Sequence, residues 1–270
     1  MMNFTSAVGG VLSMDSLARK APAIFAEAPR TGLSERYSFL KTSDVVEALS
    51  TAGWNPVFAA QGRARDITKA GVQRHVVRFR HSGATALQAG GLFPELVLLN
   101  CHDGTSAYQL HAGIFRLVCG NGLIVSDGTF GKISIRHSGV TKNEVIDASF
   151  RVLDGMPQLG ESIEAMRAVS LTEGEQQAFA GAAALARWGD QQPVEARALL
   201  TPRRMEDRSN DLWTTYNRIQ ENSIKGGVRG RTAEGKRMKV RAINSVAEDT
   251  KLNKALWQLA EEMKRLKTAA

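Results

Sequence analysis

Residues 98–125 read LLNCHDGTSAYQLHAGIFRLVCGNGLIV, a run that holds both cysteines of the chain and two of its five histidines. It is either an assembled site or the framework of a fold, and the spacing decides between them. Cys101, His102, Asp103, His111 and Cys119, with His137 further on, are ligand types, but no CxxC pair or HExxH is present, and zinc sites draw on such close pairs. Cys101 and His102 are adjacent, so a strand would send their side chains to opposite faces. A cysteine nucleophile would need a histidine base and a third group to orient it, and cysteines in apolar runs are commonly inert core. Asp103-Gly104 is instead a favoured turn pair, and in CGNGL Gly120 or Asn121 and Gly122 can take positive φ. The run therefore reads as strands joined by turns, with no metal, cofactor or catalytic residue expected.

Working outward, strand signals extend from Asn55 to about His137. In VFAAQGRAR (57–65), VQRHVVRFRH (72–81) and KISIRH (132–137) the residues alternate, and period two sends alternate side chains to opposite faces. Val77 and Phe79 oppose Arg74, Arg78 and Arg80; Phe58, Ala60 and Ala64 oppose Gln61, Arg63 and Arg65; Ile133 and Ile135 oppose Lys132 and Arg136. An antiparallel sheet with one buried and one basic, water-facing side is predicted, because parallel sheets are normally covered on both faces. The preceding TSDVVEALSTAGW (42–54) predicts a short helix with Thr42 or Ser43 as N-cap and Gly53 as stop.

After Gly139 the period becomes helical. NEVIDASFRVLDGMPQLGESIEAMRAVSLT (143–172) has apolar spacings of three and four, with interruptions expected at Pro157 and Gly160. TEGEQQAFAGAAALARWGD (172–190) sets Thr172 and Glu175 at capping-box spacing and ends at Gly189. SNDLWTTYNRIQENSIKGG (209–227) places Leu212, Tyr216 and Ile219 on one face, and DTKLNKALWQLAEEMKRLK (249–267) stripes Leu252, Leu256, Leu259, Met263 and Leu266. Sheet first and helices second is the α+β class. The predicted organisation is a flexible arm over 1–33, a strand-rich core over 34–140 with an antiparallel twisted sheet and a short helix, and a helical part over 141–270 that contains a basic hairpin at 225–243.

With 270 residues, 43% of them hydrophobic, the chain can bury a sizeable core without staples. Two cysteines are too few for a disulfide framework, the start MMNFTSAVGG lacks a signal-peptide pattern, and no stretch has the roughly 20 apolar residues of a membrane helix. A cytoplasmic protein outside the membrane is expected. The formal charge is +8, and its excess lies late: residues 201–270 hold 16 Lys and Arg against 9 Asp and Glu, leaving 19 against 18 for the rest. Between Lys225 and Arg241 seven basic residues meet one acidic. Such a block attracts polyanions, of which nucleic acid is the commonest in the cytosol, or is simply a solvated loop.

GRTAEGKR (230–237) matches GxxxxGK but has Arg237 where a phosphate loop needs Ser or Thr, and it follows a helix and leads into a strand-like RMKVRAI, the reverse of the required context. A flexible basic hairpin tip is the better reading. Asn217, Gln220 and Asn222 could hydrogen-bond a ligand or a base edge, although surface solubility explains them more simply. Asp103, Asp127, Glu144 and Asp147 are too dispersed for a metal-dependent nuclease.

The run ELVLLNCHDGTSAYQLHAGIFRLVCGNGLIV (95–125), followed by FRVL (150–153), DLWTTYNRIQENSIKGG (211–227) and LNKALWQLAEE (252–262), resembles the phage/plasmid-like protein family, a domain of unknown function of prophages and plasmids. The likeness spans about Tyr37 to Met263. It implies a mobile-element setting and a prokaryotic cytoplasm, and it supplies no catalytic residue. A second likeness rests on pattern alone: VVEALSTAGWNPV (45–57) and the strands that follow, to about Val118, look like the start of the Rad52-type single-strand annealing core. That resemblance implies a homo-oligomer, a ring in form, with single-stranded DNA in a groove.

The function expected is therefore a non-enzymatic single-stranded DNA binding or annealing protein of a phage or plasmid, acting in recombination or replication. Arg63, Arg65, Arg74, Arg78 and Arg80 on the sheet, and Arg229, Arg231, Lys236, Lys239 and Arg241 at the hairpin, would neutralise phosphates. The alternative is a mobile-element interaction protein of defence or counter-defence, whose basic surface steers it to an acidic host protein or nucleoprotein partner.

Overall fold

The sheet is built around an apolar strand that carries one charge. β3 (Leu92–Asn100) is buried along almost its whole length, and it lies between β2 (His75–His81) and β4 (Tyr108–Arg116), with β1 (Trp54–Gln61) beyond β2. β5 (Asn121–Ile124) and β6 (Ile133–Ile135) share the far edge of β4: Gly113–Arg116 pair with β5, Tyr108–Leu110 with β6. Every pairing is antiparallel. The computed structural model describes residues 10–64, 66–83, 92–116, 121–124, 133–137, 141–232 and 234–269, in two compact units, Met1–Met156 and Pro157–Ala270. The class is α+β, as the sequence predicts. Among the described residues no helix is long and apolar enough to cross a membrane.

In the first unit, α1 (Met14–Lys20) and a 3-10 turn at Pro22–Phe25 precede α2 (Thr42–Thr51), which packs on β1 and on α3 (Lys142–Asp154); α3 lies against β3 and β4. From residue 10 on, the segment expected as a flexible arm is packed; residues 1–9 lie outside the described residues. Leu17, Ala21, Ala23 and Ile24 are fully buried, Leu12 N–H donates to Pro56 O on β1, and Ala23 N–H donates to Gln61 Oε1. Helix α3, expected with the helical part, belongs to the first unit.

The alternation of β2 is as read, but one consequence is overturned. Val77 and Phe79 do point away from Arg78 and Arg80, yet Arg78 is only 8% exposed and Glu95 on β3 only 1%. Arg78 donates from Nε to Glu95 Oε2 and Arg80 from Nε to Glu95 Oε1, at 2.9 Å. The guanidiniums lie over the rings of Phe58, Phe93 and Phe115. The predicted water-facing basic side is therefore, at β2, a buried ion pair in an aromatic box, because the sheet is covered on both faces there.

In the second unit, α4 (Met156–Ala168) follows a break at Gly155. The break falls neither at Pro157, which occupies the first turn where proline lacks no hydrogen bond, nor at Gly160, which lies inside the helix. α5 (Glu173–Trp188) has the expected Thr172/Glu175 capping box and ends at Gly189 with φ +64°. α6 (Leu212–Lys225) is capped by Asp211 and stopped by Gly226, and it packs on α5 and on α7 (Val246–Thr268). A two-stranded hairpin, β7 (Arg229–Arg231) and β8 (Arg237–Lys239), sits between α6 and α7 in sequence.

Removing the carboxylate of Glu95 leaves two guanidiniums facing each other in the sheet. Glu95→Gln is expected to destabilise the first unit by about 3 kcal/mol or more, read as a lowered urea midpoint with the slope unchanged; an unaltered midpoint would mean the pair is solvated.

Candidate nucleic-acid interface

The stretch from Asn100 to Tyr108 is knitted into framework around one hydroxyl. Thr42 Oγ1 lies 2.9 Å from His75 Nε2, 3.0 Å from His102 Nε2 and 3.0 Å from Asn100 Nδ2. The partners assign the tautomers. His75 Nδ1 donates to Gln73 O at 3.0 Å, so its Nε2 accepts from Thr42; Thr42 in turn accepts from Asn100 and from His102 Nε2–H. Asn100 Oδ1 then accepts from His137 Nε2–H at 3.0 Å. The sequence predicts Thr42 or Ser43 as the N-cap of α2, but Lys41 holds that position, and the Thr42 side chain is turned inward to this network. Tyr108 donates to Leu40 O, and Tyr37 stacks on His137.

Burial holds all three histidines neutral: desolvation pushes His75 down to about 4, His102 to about 3 with help from His75 and His137, and His137 below its usual value. Asp103 and Gly104 form the expected turn, with Gly104 at φ +79°. Burial works against the Asp103 carboxylate, but hydrogen bonds from Cys101, Thr105 and Lys69 outweigh it and hold it below the ordinary range. Burial pushes the Cys101 thiol up, which disfavours the thiolate a nucleophile requires. His111, three residues from Tyr108 on β4, faces the other side of the sheet, and Cys119 lies outside the described residues. Among the described residues no three His, Cys, Asp or Glu side chains are arranged to hold a metal ion.

The sheet cations do not converge on one surface. Arg78 and Arg80 are committed to Glu95, Arg74 is half-buried just before β2, Arg63 is exposed past the end of β1, and Arg65 lies outside the described residues. The amides of α6 are likewise interior, which corrects the reading of Asn217, Gln220 and Asn222 as surface groups or ligand contacts. Asn217 donates to Trp213 O, Gln220 to Asn253 Oδ1, and Asn222 to the carbonyls of Leu199 and Thr201.

The hairpin, by contrast, gathers its cations. Its register sets Arg229 opposite Lys239 and Arg231 opposite Arg237, with Gly230 opposite Met238 between them. Directly opposed residues share a face, so four cations form two rungs on one side, and all four are exposed. Lys236 in the turn and Arg241 beyond the strand are exposed as well. None of these six makes an ion pair among the described residues, and the nearest engagement is Arg231 donating to Gly235 O at 3.0 Å. Arg237 is the one contributor that the sequence reading left out, although the alternation of RMKVR already placed it with Lys239.

The hairpin is firmly seated. A Cβ on Gly230 would come within 2.1 Å of Pro193 O, and Arg231 N–H donates to that same oxygen at 2.8 Å. Gly226 at φ +64° and Gly227 at φ +78° turn the chain into β7, Gly227 N–H donates to Val240 O, and Arg203 donates to Gly226 O. Between hairpin and the 192–198 segment lies a cleft of about 960 Å³ whose walls include Pro193, Val194, Glu195, Ala198 and Met238 along with the ladder residues.

Residues 31–257 match the family described as Domain of unknown function (DUF932). The chain belongs to this family. Among its relatives are the UPF0380 proteins YafZ and YfjQ of Escherichia coli (strain K12), each 42% identical over 253 residues that cover 93% of this chain and 91% of the relative. No solved structure matches the chain.

The three neutral histidines make stability depend on pH. Their folded-state values lie below the unfolded value near 6.5, so below that pH the unfolded chain binds more protons and stability falls, down to about pH 4 for His75. Each histidine contributes a slope of up to about 1.4 kcal/mol per pH unit. Urea unfolding is expected to show a loss of at least about 2 kcal/mol between pH 7 and pH 5, and His102→Gln should flatten that slope; equal stability at the two pH values would contradict the network.

Proposed function

We propose that this protein binds single-stranded DNA through its phosphate backbone and acts, without catalysing bond chemistry, as an annealing or strand-protecting protein in recombination or replication of a phage or plasmid. One observation carries the reading: the two rungs Arg229/Lys239 and Arg231/Arg237, four exposed cations on one hairpin face with no carboxylate paired to them among the described residues. Like charges set directly opposite one another destabilise a strand pair, and a bound polyanion turns that repulsion into attraction. Successive rungs are two residues apart, roughly 6.6 Å along the strand, a spacing that suits neighbouring phosphates of an extended strand. Lys236 and Arg241 lengthen the same track.

The sheet arginines expected to share this work are not part of the proposed interface. Arg78 and Arg80 already neutralise Glu95, and freeing them would unpair a buried carboxylate. The proposed contact is electrostatic and sequence-tolerant, with self-association of the chain as part of the annealing reading.

Fluorescence anisotropy of a labelled single-stranded oligonucleotide over a salt series, with duplex as competitor, tests this directly. Arg231→Ala with Arg237→Ala should weaken binding about tenfold or more at low salt and reduce the slope of log K against log salt by about 1.4, two phosphates at roughly 0.7 each. Arg78→Met, by contrast, should act on stability and leave the salt slope intact. An unchanged slope in the hairpin variant, or equal competition by duplex, would defeat the proposal.

A further inference from the structure

We infer that the cleft beside the hairpin is a pocket for one unpaired nucleobase bearing an exocyclic amino group, on the strand whose phosphates the cation ladder holds. The inference rests on the backbone-binding reading and adds to it what that reading lacks, a reason for single strands to be preferred over duplex.

The walls of the cleft differ in character from the ladder. Pro193, Val194, Ala198 and Met238 supply an apolar surface, and at about 960 Å³ the space lies within the range of small-molecule sites, which run from roughly 300 to 1,000 Å³. An apolar wall next to a phosphate track suits the face of a base. The wall is also fixed in place, since Gly230 lies under Pro193 O with no room for a side chain and Arg231 N–H is bonded to that oxygen.

Glu195 is the informative residue. A surface that bound only phosphates would gain nothing from a carboxylate, yet Glu195 lines this cleft beside four cations. Its carboxylate does not serve the local helix: it occupies the cap position of the 3-10 turn Ala196–Leu200 without making a side-chain capping bond. Its ion pair among the described residues, to Arg197 Nε at 2.7 Å, joins two side chains that are both more than 70% exposed, the setting in which such pairs contribute little. A carboxylate accepts from the amino group of cytosine, and it can equally accept from the adjacent N–H groups of guanine. In a duplex a base is stacked on both faces, although one N4–H of cytosine stays open in the major groove; only an unpaired base can therefore lay its face on the apolar wall while offering its amino group to Glu195.

The test compares equal-length oligo(dC), oligo(dT) and a wholly abasic oligodeoxynucleotide by anisotropy at one salt concentration, with the full chain. The intact protein should bind oligo(dC) about tenfold more tightly than oligo(dT), with the abasic strand weakest. Glu195→Ala should bring oligo(dC) to the level of oligo(dT) while binding of the abasic strand stays the same or tightens, because a negative charge has left the phosphate track. Equal affinity of the intact protein for all three strands would overturn the base pocket and leave the ladder standing. A cytosine preference that survives Glu195→Ala would overturn the role of the carboxylate, and failure to bind any strand at low salt would remove the backbone reading beneath it.

Discussion

A strand covered on both faces can carry a charge only against its opposite, and that constraint organises the first unit. β3 is apolar from Leu92 to Leu99 except at Glu95, and Glu95 is the one acceptor that lets Arg78 and Arg80 sit beside it on β2. Two charged donors on one carboxylate satisfy both of its oxygens, which is the condition under which a buried pair is tolerable. The phenyl rings of Phe58, Phe93 and Phe115 then pack on the guanidinium faces, so that desolvation of the cations is offset by attraction to ring quadrupoles. With that face closed, the opposite face is free to receive α2 and α3, and Thr42 pins the start of α2 to β2 and to the loop after β3 through His75 and His102.

The second unit meets the same difficulty along a helix. α6 is buried over Leu212–Ile224 although more than half of those residues are polar. A helix satisfies its own backbone, so the task left for its side chains is to serve backbone and side-chain groups of the segments around it. Asn222 takes two carbonyls at the end of the 3-10 turn, Arg204 grips Glu221 with two bonds to its carboxylate, and Arg218 donates to Gln176 on α5. These bonds tie irregular chain to a regular element, and they account for why so many amides and charges lie inside rather than on the surface.

Much of this was legible in the sequence where the cause is local. The capping box at Thr172, the stops at Gly189 and Gly226, the Asp103-Gly104 turn and the hairpin around Gly235 all follow from residues within a few positions of one another. What stayed hidden depends on partners far along the chain. Period two in VQRHVVRFRH separates two faces but does not say whether either meets water; the unbroken apolar run of β3 was the signal that both faces are covered, and its single glutamate was the signal for the arginines. Thr42 had two available roles, cap or core, and the histidines that settle it lie 33 and 60 residues away. The amides of α6 read as surface from their polarity alone, because the carbonyls they serve belong to irregular segments that no local pattern announces.

The hairpin is where local and distant causes oppose each other. Two strands of three residues are marginal on their own, and two rungs of opposed cations weaken them further. The hairpin nevertheless holds because its strength comes from elsewhere: Pro193 O accepts from Arg231 N–H and fits against Gly230, while Arg203 fixes Gly226 O at its base. A surface that minimised its own energy would place a glutamate opposite one of those arginines, and in the described hairpin strands there is none. Repulsion maintained by outside supports keeps the four cations gathered on one face; in the proposed reading a phosphate meets them already assembled by the backbone, and the cost left to binding is the ordering of their exposed side chains.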